Sequence, residues 1–467
     1  MMNLKIIKKY LSNLFGILFS RISGFLRDLC LANYLGAGYF SDLFFVMIRL
    51  PSIFRALFTE GVFNQSFLPN LAASQKKGAF CIQILCIFCT FLAILCLIIS
   101  VFSKFFISLI FFGFDDNFIK EAASLNAINI WYLLLIFIAC FFASLLNYSN
   151  RFFISSISAS FFNLACVFAL IYAKEYDKLE KLYFVSYFII CSSFVQIILL
   201  LLALKSNKIL KAMFLSFRKK SKISLKNFFK NFFSSLLGAS STQINSLVEI
   251  SLASTLVSAS ISYMNYATRI YQLPLALIAI AFTQVFFPTL IRLIKANEKE
   301  QMLNSMSMIF HLMLFLLLFA CLGGFILSEE IIKLLFFRGA FTYLNVLECA
   351  KVLRIYILCI VPLGLSRLFL AYINANYLHS YAAKIALISC VICIISSLTL
   401  IKFFGVLAFC ISANISAWFI FFAYLKCFKI SNFVAILKLK YCLIIFLSAI
   451  IFSFALIYLK GFINAFI

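Results

Sequence analysis

The chain has 467 residues, 65% hydrophobic and only 12% charged, with 40 lysines and arginines against 15 acids for a formal charge of +25. Soluble globular domains carry about 45–50% apolar and about 25% charged residues, so composition excludes a soluble fold of this length. The basic residues hug the ends of apolar runs instead of forming a domain of their own. That excludes a nucleic-acid-binding protein and reads as membrane topology.

Runs such as Cys81–Val101, Ile130–Leu146 and Tyr183–Leu204 are continuous and free or nearly free of charge. A helix of about 20 apolar residues crosses the roughly 30 Å of hydrocarbon in a bilayer. Backbone groups cannot stay unpaired in lipid, so spans must be helices or a closed barrel. These runs lack the alternation of barrel strands, which predicts an all-α polytopic membrane protein of about thirteen spans. In chain order the predicted spans are 9–34, 40–71, 79–103, 126–148, 155–173, 182–204, 231–257, 262–291, 304–327, 346–373, 383–401, 404–427 and 440–462. The first runs past Leu11–Phe19 into Arg21 and Arg27 without a small-residue cleavage site, which predicts a permanent helix and not a signal peptide. The cysteines lie almost wholly in apolar runs and read as small helix residues. His311 reads as a packing residue and His379 as a loop residue, and no metal site or cofactor is expected.

Lys5, Lys8 and Lys9 place the N-terminus in the cytoplasm. Alternation then puts Lys76 and Lys77, the linker Lys205–Lys230, Arg292–Lys299 and Lys426–Lys440 on that side. Asp115, Asp116, Glu121 and Ser328–Glu330 fall on the other. The linker carries nine basic residues, among them Lys205, Lys208, Lys211 and Arg218, and no acid.

The chain reads as duplicated with an offset of about 225 residues. Leu50-Pro51 matches Leu273-Pro274, Phe67-Leu68-Pro69 matches Phe286-Phe287-Pro288, Leu109–Phe114 matches Leu334–Phe341, and Asn147 matches Asn374. An even number of helices per copy keeps both copies in one orientation, the plan of transporters with two parallel lobes. The expected organisation is an N-terminal six-helix lobe (1–204), a basic cytoplasmic linker (205–230), a C-terminal six-helix lobe (231–428) and an additional transmembrane helix (429–467). The natural binding site is expected between the lobes.

An ionisable residue at mid-bilayer costs at least about 2.5–3.5 kcal/mol and so needs a reason. The first span carries Arg21, Arg27 and Asp28; the second carries Asp42, Arg49, Arg55 and Glu60; the seventh carries Glu249 and the eighth Arg269. These positions do not repeat between copies: Arg49 pairs with Gln272, Asp42 with Asn265, and Arg269 with Val46. Packing alone would repeat more readily, so the asymmetry points to a surface facing a substrate. Guanidinium forks suit phosphate, and arginines outnumber acids at depth. The residues therefore predict a cationic cavity for an anionic, phosphate-bearing substrate. Pro51, Pro69, Pro274 and Pro288 are expected to break the lining helices and supply kinks for gating.

Ser20-Arg21-Ile22-Ser23-Gly24-Phe25-Leu26-Arg27-Asp28 resembles the start of the MurJ (MviN) family of lipid II flippases, in the MOP exporter superfamily. Ser41–Val46, Arg49-Leu50-Pro51-Ser52-Ile53-Phe54-Arg55 and Glu60–Pro69 extend the likeness. It continues more thinly through Leu146-Asn147, Asn150-Arg151-Phe152, Tyr266–Arg269, Leu273-Pro274 and Phe337–Phe341, covering about residues 5–430. The resemblance implies two six-helix lobes around a cationic cavity. It also implies transfer of lipid II, the undecaprenyl-pyrophosphate-linked peptidoglycan precursor, from the cytoplasmic to the periplasmic leaflet of the bacterial inner membrane. By motif match Arg21, Arg27, Arg55 and Arg269 are the implied substrate-binding arginines, and Asp28, Asp42 and Glu60 match acidic positions of the same motifs. Arg49 and Glu249 complete the expected set of charged cavity residues. Two departures stand out. Thr268 occupies the place where the family usually has an acid, and one helix follows the lobes where two are common.

The expected mechanism is alternating access by a transporter and not an enzyme. The sequence contains no GxxxxGK[ST] nucleotide motif, so the membrane potential or a monovalent ion gradient is the expected drive. Lipid II, membrane lipids and other cell-wall synthesis proteins are the partners in view. The rival readings are a flippase for another polyprenyl-linked glycan, a drug exporter of the same superfamily, a membrane enzyme acting on a polyprenyl phosphate, and a structural scaffold. A drug exporter would favour acids over arginines in its cavity, and an enzyme would need a carboxylate or histidine cluster near an interface.

Overall fold

A computed structural model describes residues 4–58, 62–205, 207–218 and 223–466, and these are helical with short connections. The chain divides into two compact units, Met1–Ala259 and Ser260–Ile467.

In the first unit the helices are α1 (Leu4–Leu35), α2 (Tyr39–Met47), α3 (Arg49–Phe58), α4 (Val62–Ala73), α5 (Lys77–Val101), α6 (Ser103–Ile110), α7 (Asp116–Asn129) and α8 (Trp131–Tyr148). They continue with α9 (Phe152–Ser158), α10 (Phe161–Tyr172), α11 (Lys178–Leu204), α12 (Lys208–Arg218) and α13 (Lys226–Ala253). The predicted second span is broken. Pro51 has no N–H to offer the carbonyl of Met47 four residues earlier, and α2 ends at that residue, with Ile48 as the joint before α3. The core is aromatic. Phe63 stacks on Phe67 at 4.8 Å, Phe88 on Phe137 at 5.1 Å, and Phe232 of α13 meets Phe88 edge-on at 5.2 Å. Because Phe228 and Phe232 are buried there, α13 packs on α3 and α4. By packing, the first unit thus runs to Ala259 and takes in a helix that the sequence reading places in the second lobe.

The second unit holds α14 (Ser260–Pro274), a π-helical stretch Leu275–Ile280, α15 (Ala281–Lys295), α16 (Lys299–Ile326) and α17 (Ser328–Phe336). After these come α18 (Tyr343–Tyr356), α19 (Ile360–Ala375), α20 (His379–Phe404), α21 (Leu407–Phe428), α22 (Ile430–Ile436) and α23 (Leu439–Phe466). The widened turn begins directly after Pro274, whose missing N–H breaks the regular ladder. Pro69 and Pro288 sit inside α4 and α15. His379 opens α20 instead of lying in a loop. The helix order repeats: the short α6 between α5 and α7 returns as α17 between α16 and α18, about 225 residues on. One long helix, α23, follows, packed on α16 and tied at its far end by Lys460, which reaches Glu330 at 3.1 Å and the Ile326 carbonyl at 3.3 Å.

Many helices are apolar on both faces. On α11, Val185, Ile189 and Leu200 are buried while Tyr187, Phe194, Ile198 and Leu202 stand more than half exposed. Outward apolar surface of that extent belongs against lipid. Among the described residues ten helices are long and apolar enough to cross a bilayer. They correspond to the predicted spans other than the first, second and seventh, so the count of thirteen is not reached on length and apolarity. Those three carry the polar residues of α1, α2–α4 and α13, which include every candidate charge of the first unit among the described residues.

Candidate functional site

α1 and α10 pack together in the first unit, and the contact is polar. On α1, Arg27 and Asp28 are buried, at 6% and 1% exposure. The Arg27 Nε and Nη2 donate to one oxygen, Asp28 Oδ1, at 3.0 and 2.7 Å, and its Nη1 donates to Asn163 Oδ1 at 3.2 Å. Asn163 is held in turn, its Nδ2 donating to the Ser20 carbonyl at 3.3 Å and to Ser23 Oγ at 3.2 Å. A Cβ at Gly24 would make only ordinary contact with this amide, at 3.4 Å from Nδ2. Three of the five guanidinium N–H groups of Arg27 serve these bonds, leaving two.

Arg55, on α3, comes to the same place. Its Nη1 donates to the Tyr132 hydroxyl at 3.4 Å. Its guanidinium carbon lies 6.0 Å from the centre of the Phe162 ring, and that of Arg27 lies 5.6 Å from the same centre. The Tyr132 ring rests on Phe162 at 5.2 Å. Two arginines, 28 positions apart in the sequence, thus share one aromatic ring. Cations gather over such faces because the ring quadrupole is negative there.

The other predicted charges separate. Arg21 is on α1 and exposed. Arg49 turns to α13, where its Nη2 donates to the Ser246 carbonyl at 2.7 Å and contacts the Ser246 hydroxyl. Glu249, one turn on, attracts it electrostatically and accepts a 2.9 Å bond from Asn245. Asp42 is 1% exposed, and its Oδ2 accepts the Ala259 N–H at 2.8 Å. Ala259 has a left-handed φ of 79°, so this carboxylate pins a strained turn. Glu60 lies outside the described residues.

In the second unit Arg269 is exposed on α14, after half-buried Thr268. Sequence reasoning passed over Arg367, exposed midway along α19, which the mid-span charge rule would have found. It also passed over Tyr132, Phe162 and Asn163. Nothing marks one phenylalanine among 61, and only the α1–α10 contact singles it out. Two cysteine pairs at CxxC spacing, Cys86 with Cys89 and Cys390 with Cys393, were overlooked as well. None of the four is in a disulfide, and all lie in mid-helix.

A model of the family described as lipid II flippase MurJ matches residues 31–467. A protein of Helicobacter pylori (strain ATCC 700392 / 26695) named probable lipid II flippase MurJ is 38% identical over 449 residues, 93% of this chain and 97% of that one. A protein of the same name from Buchnera aphidicola subsp. Schizaphis graminum is 26% identical over 98% of this chain and 91% of its own length. Among solved structures, lipid II flippase MurJ in an inward closed conformation superposes with a TM-score of 0.79 at 22% identity, covering 97% of this chain and 98% of that one. An inward-facing multidrug resistance MATE family transporter of the MOP superfamily gives 0.71 at 14% identity, covering 89% and 95%. At these identities both structures show the fold alone.

Proposed function

We infer what this chain does from its family, for it belongs to MurJ, the lipid II flippases. It is a membrane transporter whose substrate is lipid II, and it serves peptidoglycan synthesis by carrying that precursor across the bilayer.

The observation that carries the chemical part is the pair Arg27 and Arg55 over one ring in a buried, polar seam. Lipid II bears a diphosphate between a polyprenyl tail and its sugars. A diphosphate entering lipid-like surroundings loses its hydration and needs charge-assisted donors in exchange. Arg27 and Arg55, with exposed Arg21 on the same helix as Arg27, supply them in the first unit. Arg269 is the donor proposed for the second. The arrangement disfavours a drug exporter, whose cationic substrates would call for acids. Asp42 and Arg49 hold turns and neighbouring helices by the contacts above. The direction of transfer, from cytoplasmic to periplasmic leaflet, is the one the family likeness implies. The drive is the membrane potential or a monovalent ion gradient, with the two repeats alternating access.

Purified protein in proteoliposomes carrying lipid II tests the assignment. Losing one charge-assisted bond costs about 1.5–3 kcal/mol, so Arg55→Ala is expected to slow translocation at least about tenfold. Arg55→Lys should recover only part of the rate, because an ammonium lacks the fork. Wild-type rates from Arg55→Ala would remove Arg55 from the headgroup site.

A further inference from the structure

We propose that the basic hollow between the start of α5 and α12 binds the phosphate headgroup of an anionic membrane phospholipid, whose acyl chains lie beside the outward apolar residues of α12. The hollow shares no residue with the seam that holds Arg27 and Arg55, and its role does not depend on the transported substrate.

Two spans end at this place. α11 finishes at Leu204 and α5 begins at Lys77, and both are long and apolar enough to cross a bilayer, so the hollow lies at headgroup depth. Its volume is about 650 Å³, within the roughly 300–1,000 Å³ of small-ligand sites. Lys76, Lys77 and Lys208 line it together with Ser74, Gln75 and Ser216, and no acid is among its described lining residues. Local bonds hold the walls. Asn207 caps α12, its Oδ1 accepting the Ile209 N–H at 2.8 Å, and its Nδ2 donates to Ser149 Oγ at 2.8 Å, just past α8. Gly78 lies against Ala212 too closely for a side chain to fit between α5 and α12. Lys77 Nζ stands 5.4 Å from the centre of the Tyr148 ring, while Lys76 and Lys208 are exposed. Ammonium groups gathered without acids attract an anion, and lysine serves phosphate as a point charge. The same helix presents Phe214, Leu215 and Phe217, each more than half exposed. A basic helix with outward aromatic residues at the ends of spans lies in the interface, its apolar side against acyl chains and its lysines among anionic headgroups. A soluble phosphate compound would leave those aromatic residues without a partner. A phosphate joined to acyl chains satisfies both the lysines and the phenylalanines.

The test uses the full chain purified in neutral detergent and titrated with phosphatidylglycerol or with phosphatidylcholine of the same acyl chains, bound lipid being counted by native mass spectrometry. Wild type is expected to retain phosphatidylglycerol in preference to phosphatidylcholine. A lysine beside an anionic lipid is worth about fivefold in affinity, so Lys76→Gln with Lys208→Gln should weaken phosphatidylglycerol roughly twentyfold and leave phosphatidylcholine unchanged. Lys295→Gln with Lys299→Gln removes the same charge from the second unit and should change neither. Phe214→Ser with Phe217→Ser should weaken phosphatidylglycerol several-fold. Glycerol 3-phosphate and inorganic phosphate, at matched ionic strength, should fail to displace the lipid. All six substituted side chains are exposed, so the variants are expected to melt with wild type. Displacement by either soluble anion would make the hollow a site for soluble phosphate compounds and overturn the proposal. Equal losses from the two lysine pairs would overturn it too, since they mark attraction to net charge alone. So would an unchanged affinity in Lys76→Gln with Lys208→Gln or in the phenylalanine pair, or a wild type that does not distinguish the two lipids.

Discussion

Asp42 shows how one carboxylate can belong to a site motif and still be spent on structure. Its side chain is fully enclosed and bonded to the N–H of Ala259. A left-handed conformation costs an L-residue roughly 1–2 kcal/mol, and Ala259 is held there at φ 79°. Two opposite outcomes follow in thermal unfolding of detergent-solubilised protein. Ala259→Gly should stabilise by about 1 kcal/mol, because glycine adopts that φ freely. Asp42→Ala should destabilise by about 1–3 kcal/mol, the cost of leaving a buried N–H unpaired. If Asp42→Ala melts like wild type but transports poorly, the carboxylate acts on substrate and not on the turn. Asp28 differs, since it neutralises a buried guanidinium through two bonds to one oxygen. Removing one member of a buried pair is costlier than removing both, so Asp28→Ala should lower the folded yield more than the double variant Asp28→Ala, Arg27→Leu.

Helices in this chain meet where small residues let backbones approach. Gly78, at the start of α5, lies directly beneath α12. A Cβ there would fall 2.9 Å from the Ala212 side chain and closer still to the Ala212 carbonyl. Backbone cannot give way as a side-chain tip can. Gly78→Val is therefore expected to lift α12 from α5 and expose the basic segment after α11 to protease. The cleavage rate within 205–218 should rise several-fold while the transmembrane core remains intact. Gly364 is as tight at its nearest contact but faces the flexible end of Leu317, so Gly364→Ala should be tolerated better. Breaks at Pro51 and after Pro274 come from the same rule, a missing N–H in a helix interior. Hydropathy alone does not register them, which is why 40–71 reads as one span and forms α2, α3 and α4.

For the molecule as a transporter, charge and lipid contact must coexist in one chain. The ten strongly apolar helices supply the lipid-facing surface, and the polar α1, α2, α3 and α13 hold the described candidate charges of the first unit. Arg269 is the donor proposed for the second unit. Arg269→Ala is expected to abolish lipid II translocation in vesicles by about tenfold or more without shifting the melting temperature, because exposed arginines contribute little to stability. Depleting the protein from cells should raise the lipid II count in the inner leaflet, and an unchanged distribution would contradict the flippase assignment. Lys460 should matter less to transport. Its contacts with Glu330 and Ile326 secure α23, so Lys460→Ala is expected to loosen that helix alone.

The all-helical membrane class, the repeat, the family and the presence of arginines within the spans were legible in the amino-acid sequence, because hydropathy, charge and motif order are properties of residues read one after another along the chain. Which of those arginines meet was not legible. Arg27 is bonded to Asn163, 136 positions away, and Arg49 to Ser246, 197 away. Phe162 owes its place under two cations to how α1, α3 and α10 pack. Side-chain partners across such distances are chosen by packing, and local sequence carries no record of the choice. That is why Arg27 and Arg55 converge on one ring while Asp42 and Arg49, from the same motifs, turn to other work.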